Sequence, residues 1–337
     1  MSDTKPPVLV YRLGSLGDTV VALPCFHAIA RAFPDQARLV LTNVPVSTKA
    51  APLEIILRPG GLIDGVIDYP LGTRSPIVLW RLWRTIAATG ADTLVYLAEP
   101  RGLASLRRDL AFFRLCGIRR IIGAPDSEDL QTNRAGPDGI EPEAERLART
   151  MAGLAPIDLT DPASWDMRFT PEERARADAV LAPLGQTGFI GINLGGKVAV
   201  KDWGDDNWRD LVTALGAAHG SLGLVAVGAA EDAERSAQVL ACWPGVTVNL
   251  CGALSPRESG AVLGRAVTFV GHDSGPLHLA AAAGARVIGL FGNFNRPRQW
   301  HPYGADHRVL HDMRGVTAIT VGDVVAVAQT MLADLKR

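Results

Sequence analysis

Four short stretches of the chain place acids, lysines and glycines where a phosphorylated ligand could be held and a hydroxyl deprotonated. The first is Leu13-Gly14-Ser15-Leu16-Gly17-Asp18. Glycine lets backbone come close to a ligand, so Gly14, Ser15 and Gly17 would lie against whatever Asp18 faces. Asp18 falls at or just inside the start of a helix. There it is either a carboxylate interacting with the helix macrodipole or a base that takes a proton. The second stretch, Asn193-Leu194-Gly195-Gly196-Lys197, leads to Lys201-Asp202-Trp203. Two glycines and two lysines suit a diphosphate, with backbone N–H groups cradling it and an ammonium neutralising it. A solvated loop carrying two surface lysines reads equally well. The third stretch is Gly271-His272-Asp273-Ser274-Gly275-Pro276-Leu277-His278-Leu279. Ser274 suits an N-cap and Pro276 a first helical turn. The exposed N–H groups of Ser274 and Gly275 would form an anion site beside Asp273. His278, one turn inside, reads most simply as a packed histidine. The fourth stretch, Val227-Gly228-Ala229-Ala230-Glu231-Asp232, puts acids where they could bind ribose hydroxyls or simply complement a helix dipole.

Several chemistries are disfavoured. Only Gly14 and Gly17 are present where a dinucleotide fingerprint needs three glycines, so a nicotinamide enzyme is poorly supported. No C-x-x-C pair, no Cys-His metal spacing and no convincing D-x-D segment occurs. Neither a metal nor a cofactor is therefore expected, and the four dispersed cysteines read as reduced thiols of a cytoplasmic protein. Formal net charge is −1, which makes no case for nucleic acid. Met1–Pro7 is polar and lacks the features of a signal peptide. The apolar runs fall short of the roughly 20 residues a membrane span needs, so any membrane contact must be peripheral.

The elements that must position these residues alternate between strand and helix. Strands are expected at Val8–Arg12, Arg38–Thr42, Asp92–Leu97 and Arg119–Gly123. Helices are expected at Leu16–Phe33, Ile77–Ala88 and Leu103–Leu115. The polar, Gly- and Pro-containing stretch Asp126–Pro142 reads as a loop, and Ala155–Phe169 as a linker. Alternation resumes at Pro171 and runs to a closing helix, Val321–Leu335. Such β-α alternation implies parallel sheets covered on both faces. At roughly 150 residues per domain, the chain divides into 1–165, 170–320 and a C-terminal helix over 321–337. The fold class is α/β, with two Rossmann-like halves and a cleft expected between them, although one large doubly wound sheet would share the alternation.

These pieces, in this order, resemble glycosyltransferase family 9, the heptosyltransferases of lipopolysaccharide core assembly. Val10-Tyr11-Arg12-Leu13-Gly14-Ser15-Leu16-Gly17-Asp18 followed by Leu23-Pro24 is similar to that family's opening. Lys201-Asp202-Trp203 is similar to its K-x-W segment. Asp273-Ser274-Gly275-Pro276-Leu277-His278-Leu279-Ala280-Ala281-Ala282 is similar to its D-[ST]-G-x-x-H-x-x-A-A signature. The resemblance implies a GT-B fold with an N-terminal acceptor domain and a C-terminal nucleotide-sugar domain. It also implies inverting, metal-independent transfer, typically from ADP-L-glycero-D-manno-heptose. Asp18 matches the family's base and Lys201 its phosphate-contacting lysine. Asp273, Ser274 and Gly275 match the donor loop that runs on to His278, and Glu231 matches an acid near the ribose. Gly196 and Lys197 stand where the family often has small hydroxyl residues, so phosphate contacts there must differ.

Residues 70 to 123 carry nine arginines against three acids, with Trp80 and Trp83 interleaved. This balance suits an anionic glycolipid acceptor, with Arg101, Arg107 and Arg108 as candidate contacts, and an anionic face of the inner membrane. Solvated helix faces would give the same composition. Two other readings keep the fold: a GT-B transferase or epimerase acting on a different nucleotide sugar, and a non-catalytic nucleotide-sugar-binding subunit. Oligomeric state is not encoded in any of these features.

Overall fold

A computed structural model describes residues 5–43, 51–70, 72–73, 75–136, 139–196 and 198–333. The chain separates into two compact units, Met1–Arg168 and Phe169–Arg337.

The first unit is built on five strands: β1 (Val8–Tyr11), β2 (Arg38–Thr42), β3 (Gly65–Asp68), β4 (Thr93–Tyr96) and β5 (Arg120–Ile122). They lie in the order β3-β2-β1-β4-β5, and every neighbouring pair is parallel. The central strand, Val-Leu-Val-Tyr, is buried at all four residues, as a strand covered by helices on both faces must be. Residues Leu16–Phe33, which read as one helix, form two: Leu16–Val21 and Leu23–Ala32. Pro24 lies in the first turn of the second helix. It has no N–H to continue the first, and its fixed φ suits a helix start. The stretch Asp126–Pro142 carries more structure than a loop: a helical turn at Glu128–Gln131 and a hairpin pairing Ala135–Gly136 with Gly139–Ile140.

The second unit contains β6 (Phe189–Asn193), β7 (Gly223–Ala226), β8 (Thr247–Asn249), β9 (Thr268–His272), β10 (Val287–Phe291) and β11 (Arg308–His311). Their order is β8-β7-β6-β9-β10-β11, again parallel throughout. Alternate residues feed two cores. Ile190, Ile192, Val270 and Ile288 pack with Trp203, Trp208 and the Val321–Ala333 helix. Phe189, Val225, Phe269 and Val287 pack on the other face with Leu181, Val262 and Leu277. The expected continuation of the last helix to Leu335 lies outside the described residues. Strands β3 and β11 have no counterpart among the sequence-based expectations.

In both sheets the first strand sits beside the fourth, so the order of connection reverses there. Ligands of open α/β sheets bind beyond the carboxyl ends of the strands at that point. In the first unit these ends are Tyr11 and Tyr96, and in the second Asn193 and His272. The four lead into Leu13–Asp18, Leu97–Arg101, Leu194–Lys201 and Asp273–Gly275.

Candidate active site

In the first unit, Asp18 is the third residue of the Leu16–Val21 helix and Ser15 its N-cap. The Asp18 Oδ2 accepts the Ser15 N–H at 2.5 Å, which is half of a capping box. Gly14 lies directly over this carboxylate. Its φ is +132°, and a Cβ there would meet the Asp18 Cβ at 2.6 Å and Oδ2 at 2.9 Å. Backbone strain and collision thus both demand glycine. Gly14→Ala is expected to cost about 1–3 kcal/mol of stability and to displace Asp18. Denaturant unfolding together with kcat would show both losses.

Sequence reasoning did not single out Arg12. The residue is 2% exposed. Nη1 donates to the Leu97 carbonyl at 2.8 Å and Nη2 to the Asp18 carbonyl at 2.5 Å. The side chain therefore ties the Asp18 turn to the segment that leaves β4. Further on, Glu143 and Arg146 form a buried ion pair, with Nη2 to Oε1 at 2.5 Å. Partial burial, followed by the charges of Glu143 and Asp18, pushes the Glu99 carboxyl above the usual range, against the pull of Arg12 and Arg146. Beside the ends of β1 and β4, Arg12 thus bonds the Asp18 turn, and Glu99 feels the charges of Asp18 and of the Glu143–Arg146 pair.

Arg101 reaches the end of β1, where Nη2 donates to Asp109 Oδ2 at 2.7 Å and to the Tyr11 hydroxyl at 2.9 Å. Arg107 and Arg108 are exposed on the Leu103–Leu115 helix. Arg108 donates to Ser105 Oγ at 3.0 Å. Arg74, another of the nine arginines, lies outside the described residues.

In the second unit, Lys201 and Asp273 come together from positions 72 apart. Lys201 Nζ stands 2.7 Å from Asp273 Oδ2 and 4.3 Å above the Phe294 ring. Asn295 Nδ2 donates to the same Asp273 oxygen at 2.5 Å. Asp273 is only 8% exposed. It immediately precedes Ser274 and Gly275, which open the Gly275–Ala282 helix. Ser274 occupies the N-cap position, but its hydroxyl does not cap. It bonds instead to Asn193 Oδ1 at 3.2 Å, because Asn193, at the end of the adjacent strand, is fixed by its own bond to the Val227 carbonyl at 2.8 Å. His278 is buried one turn into the helix.

In the loop after β6, a Cβ at Gly195 would collide with the Asp232 carboxylate, whereas Gly196 borders open space. Asp232 also accepts the Ala229 N–H at 2.9 Å. Of the two acids in the fourth stretch, then, Asp232 turns toward the β6 loop and Glu231 is exposed. Lys197 lies outside the described residues.

The position of Lys201 is set by its neighbours. Trp203 is fully buried. Its indole N–H donates to the Ile319 carbonyl at 2.8 Å, and its backbone N–H to His272 Nε2 at 3.1 Å. Arg235 holds Asp202 through two bonds of 2.7 Å, pairs with Asp205, and reaches the Leu194 carbonyl at 3.2 Å. Although burial acts against it, these Arg235 bonds hold the Asp202 carboxyl below its usual range.

Because His272 Nε2 accepts a hydrogen bond, the ring is neutral, and burial pushes its pKa down to about 4. This predicts a pH dependence. A histidine held below its ordinary 6.5 binds protons more weakly folded than unfolded. Its contribution is complete above about pH 6.5 and is lost as pH falls toward about 4. The loss for His272 is roughly 3 kcal/mol. Denaturation midpoints between about pH 7 and pH 4.5 should fall accordingly. They should fall less in His272→Gln, whose amide oxygen can replace Nε2 as acceptor.

A family model for glycosyltransferase family 9 (heptosyltransferase) matches residues 131–318, more than half of the chain. The chain belongs to glycosyltransferase family 9. The matched region contains Lys201 and Asp273 but begins after Asp18. Lipopolysaccharide heptosyltransferase 3 of Escherichia coli (strain K12) is 24% identical over 206 residues, which are 56% of this chain and 60% of that protein. The chain thus spans about 60% of the length of the curated relative it matches. Among solved structures, a family 9 glycosyltransferase from Veillonella parvula DSM 2008 aligns with a TM-score of 0.75 at 19% identity, covering 99% of each chain. The E. coli ADP-heptose lipopolysaccharide heptosyltransferase II aligns at 0.69 with 17% identity, over 98% of this chain and 100% of that one. The E. coli heptosyltransferase WaaC, solved with ADP, aligns at 0.66 with 16% identity, over 96% and 99%. At these identities the structural likeness establishes the shared fold, the α/β GT-B class of family 9, across both units. Among the described residues, no group of three or more His, Cys, Asp or Glu side chains is arranged to hold a metal ion, and no helix is long and apolar enough to cross a membrane.

Proposed function

We propose that this family 9 member transfers a heptosyl group, with inversion and without a metal ion, from ADP-L-glycero-D-manno-heptose to a hydroxyl of a lipopolysaccharide-core acceptor. The observation that carries this reading is the Lys201–Asp273 pair, at 2.7 Å, beside the N-terminal end of the Gly275–Ala282 helix. A cation next to unpaired helix N–H groups suits a diphosphate. In the reaction, the acceptor oxygen bonds to the anomeric carbon and gives its proton to Asp18. The bond from that carbon to the diphosphate oxygen breaks, and ADP leaves with the electron pair. Lys201 and the N–H groups of Ser274 and Gly275 stabilise the charge that builds on it. Gly196, Lys197 and His278 complete the donor contacts, and Glu231 meets the ribose. Gly14, Ser15 and Gly17 line the acceptor hydroxyl, while Arg101, Arg107 and Arg108 meet its anionic groups. The protein acts in the cytoplasm, peripheral to the inner membrane, where such a glycolipid is presented. The lipopolysaccharide heptosyltransferases among the relatives favour this donor and acceptor.

Calorimetric titration in the presence of a chelator, against ADP-heptose and UDP- and GDP-sugars, tests the donor. Selective binding of ADP-heptose is expected. Selective binding of a UDP- or GDP-sugar would keep the site and discard the heptose.

A further inference from the structure

The Pro76–Ala88 helix, Pro-Ile-Val-Leu-Trp-Arg-Leu-Trp-Arg-Thr-Ile-Ala-Ala, is apolar on two sides. Leu82 and Ile86 are its buried residues and face the core of the first unit. Ile77, Trp80 and Arg84 follow one another at helical spacing on the other side. Ile77 is 63% exposed and Trp80 52%. A helix with a single apolar stripe would be satisfied by the core beneath it. One that is also apolar outward requires a second apolar environment.

This outward face continues onto the next helix. The Trp83 indole N–H donates to the Leu115 carbonyl at 2.9 Å, which places the end of the Leu103–Leu115 helix alongside. Leu115 is 75% exposed. The charged residues nearest these side chains along the sequence are all arginines. Arg81, Arg84 and Arg114 are exposed, and the Arg84 guanidinium lies 4.8 Å from the centre of the Trp80 ring. No Asp or Glu occurs between Asp68 and Asp92 or between Asp109 and Asp126. The whole chain is nearly neutral, so this concentration of arginine is local.

We propose that this face is a docking surface for an anionic lipid bilayer. Tryptophan settles at the boundary of headgroups and acyl chains, with its ring in the apolar layer and its N–H end toward polar groups. Arginine beside it meets lipid phosphates with paired donors. Ile77, Trp80 and Leu115 enter the boundary layer, and Arg81 and Arg84 engage the headgroups. An apolar helix face bordered by arginines binds such a surface in the plane of the membrane without crossing it. The proposal deepens the peripheral membrane contact of the functional reading. It is tested with neither donor nor acceptor, so its failure would leave the transfer chemistry untouched.

The test is co-sedimentation of the full chain with vesicles of phosphatidylcholine alone or of phosphatidylcholine mixed with phosphatidylglycerol. Binding is expected on the mixed vesicles only, weakening as salt is raised. Ile77→Ser combined with Trp80→Ser should lower the vesicle affinity at least about tenfold. Arg81→Glu combined with Arg84→Glu should do the same through the charge alone. Both double variants should keep the parent melting temperature and its rise on adding ADP, since all four positions are exposed. The proposal is overturned if the parent protein ignores mixed vesicles, or if both variants bind them as the parent does. It is equally overturned if the parent is an oligomer that the Ile77/Trp80 variant converts to a monomer while vesicles capture neither. The face would then be a contact between copies of the chain.

Discussion

Asp18→Asn is expected to lower kcat by about 10²–10⁴-fold, the range for losing a positioned base, and to leave donor affinity nearly unchanged. The amide is isosteric with the carboxylate but cannot take the acceptor's proton. Its oxygen can still accept the Ser15 N–H that Asp18 holds at 2.5 Å, so the helix start survives. This separates chemistry from structure. If Asp18 served only to cap its helix, Asp18→Asn would retain kcat, and Asp18→Ala would lose about 1 kcal/mol of stability with little else. Single-turnover rates and denaturant unfolding of the two variants distinguish the roles.

Lys201→Ala should reduce turnover by about 10²–10³-fold, the usual cost of removing one group that stabilises developing charge, and should weaken donor binding as well. The lysine has a second task in the unliganded protein. It neutralises Asp273, which is 8% exposed and otherwise bonded through Asn295. Removing one partner of a buried pair leaves the other charge uncompensated, so the variant should also melt earlier. Lys201→Ala combined with Asp273→Asn removes that uncompensated charge. Recovery of the melting temperature without recovery of turnover would identify a contact with the leaving group. Recovery of both would make the pair structural.

The strands and helices that the sequence states plainly are those with local punctuation. Pro171–Leu181 is announced by Thr170 and Glu173, which bond reciprocally at its start, and by Pro171 in its first turn. Strand β6 is apolar from Phe189 to Ile192 and buried at every position, its terminal Asn193 included. The break at Ala22 is hidden because apolar spacing continues across it. The edge strand β3 is short and without a buried residue, so it carries no periodicity to read. The same division applies to the candidate site. Gly14, Asp18, Lys201 and Asp273 stand out as glycines and charges beside predicted strand ends. Arg12 and Asn193 do not, because each lies within or next to a strand and acquires its place through partners far away in sequence: Leu97 for Arg12, and Val227 and Ser274 for Asn193. Asn295 follows an irregular stretch that gives no sign of meeting Asp273.

The central claim is heptosyl transfer, and the most direct measurement is the mass of the acceptor after reaction. Purified protein is incubated, with a chelator present, with ADP-heptose and a lipopolysaccharide-core acceptor that lacks its heptose. A gain of one heptosyl unit on the acceptor, matched by released ADP and abolished in Asp18→Asn, is the predicted result. An unchanged acceptor mass, together with turnover of a different nucleotide sugar, would contradict it.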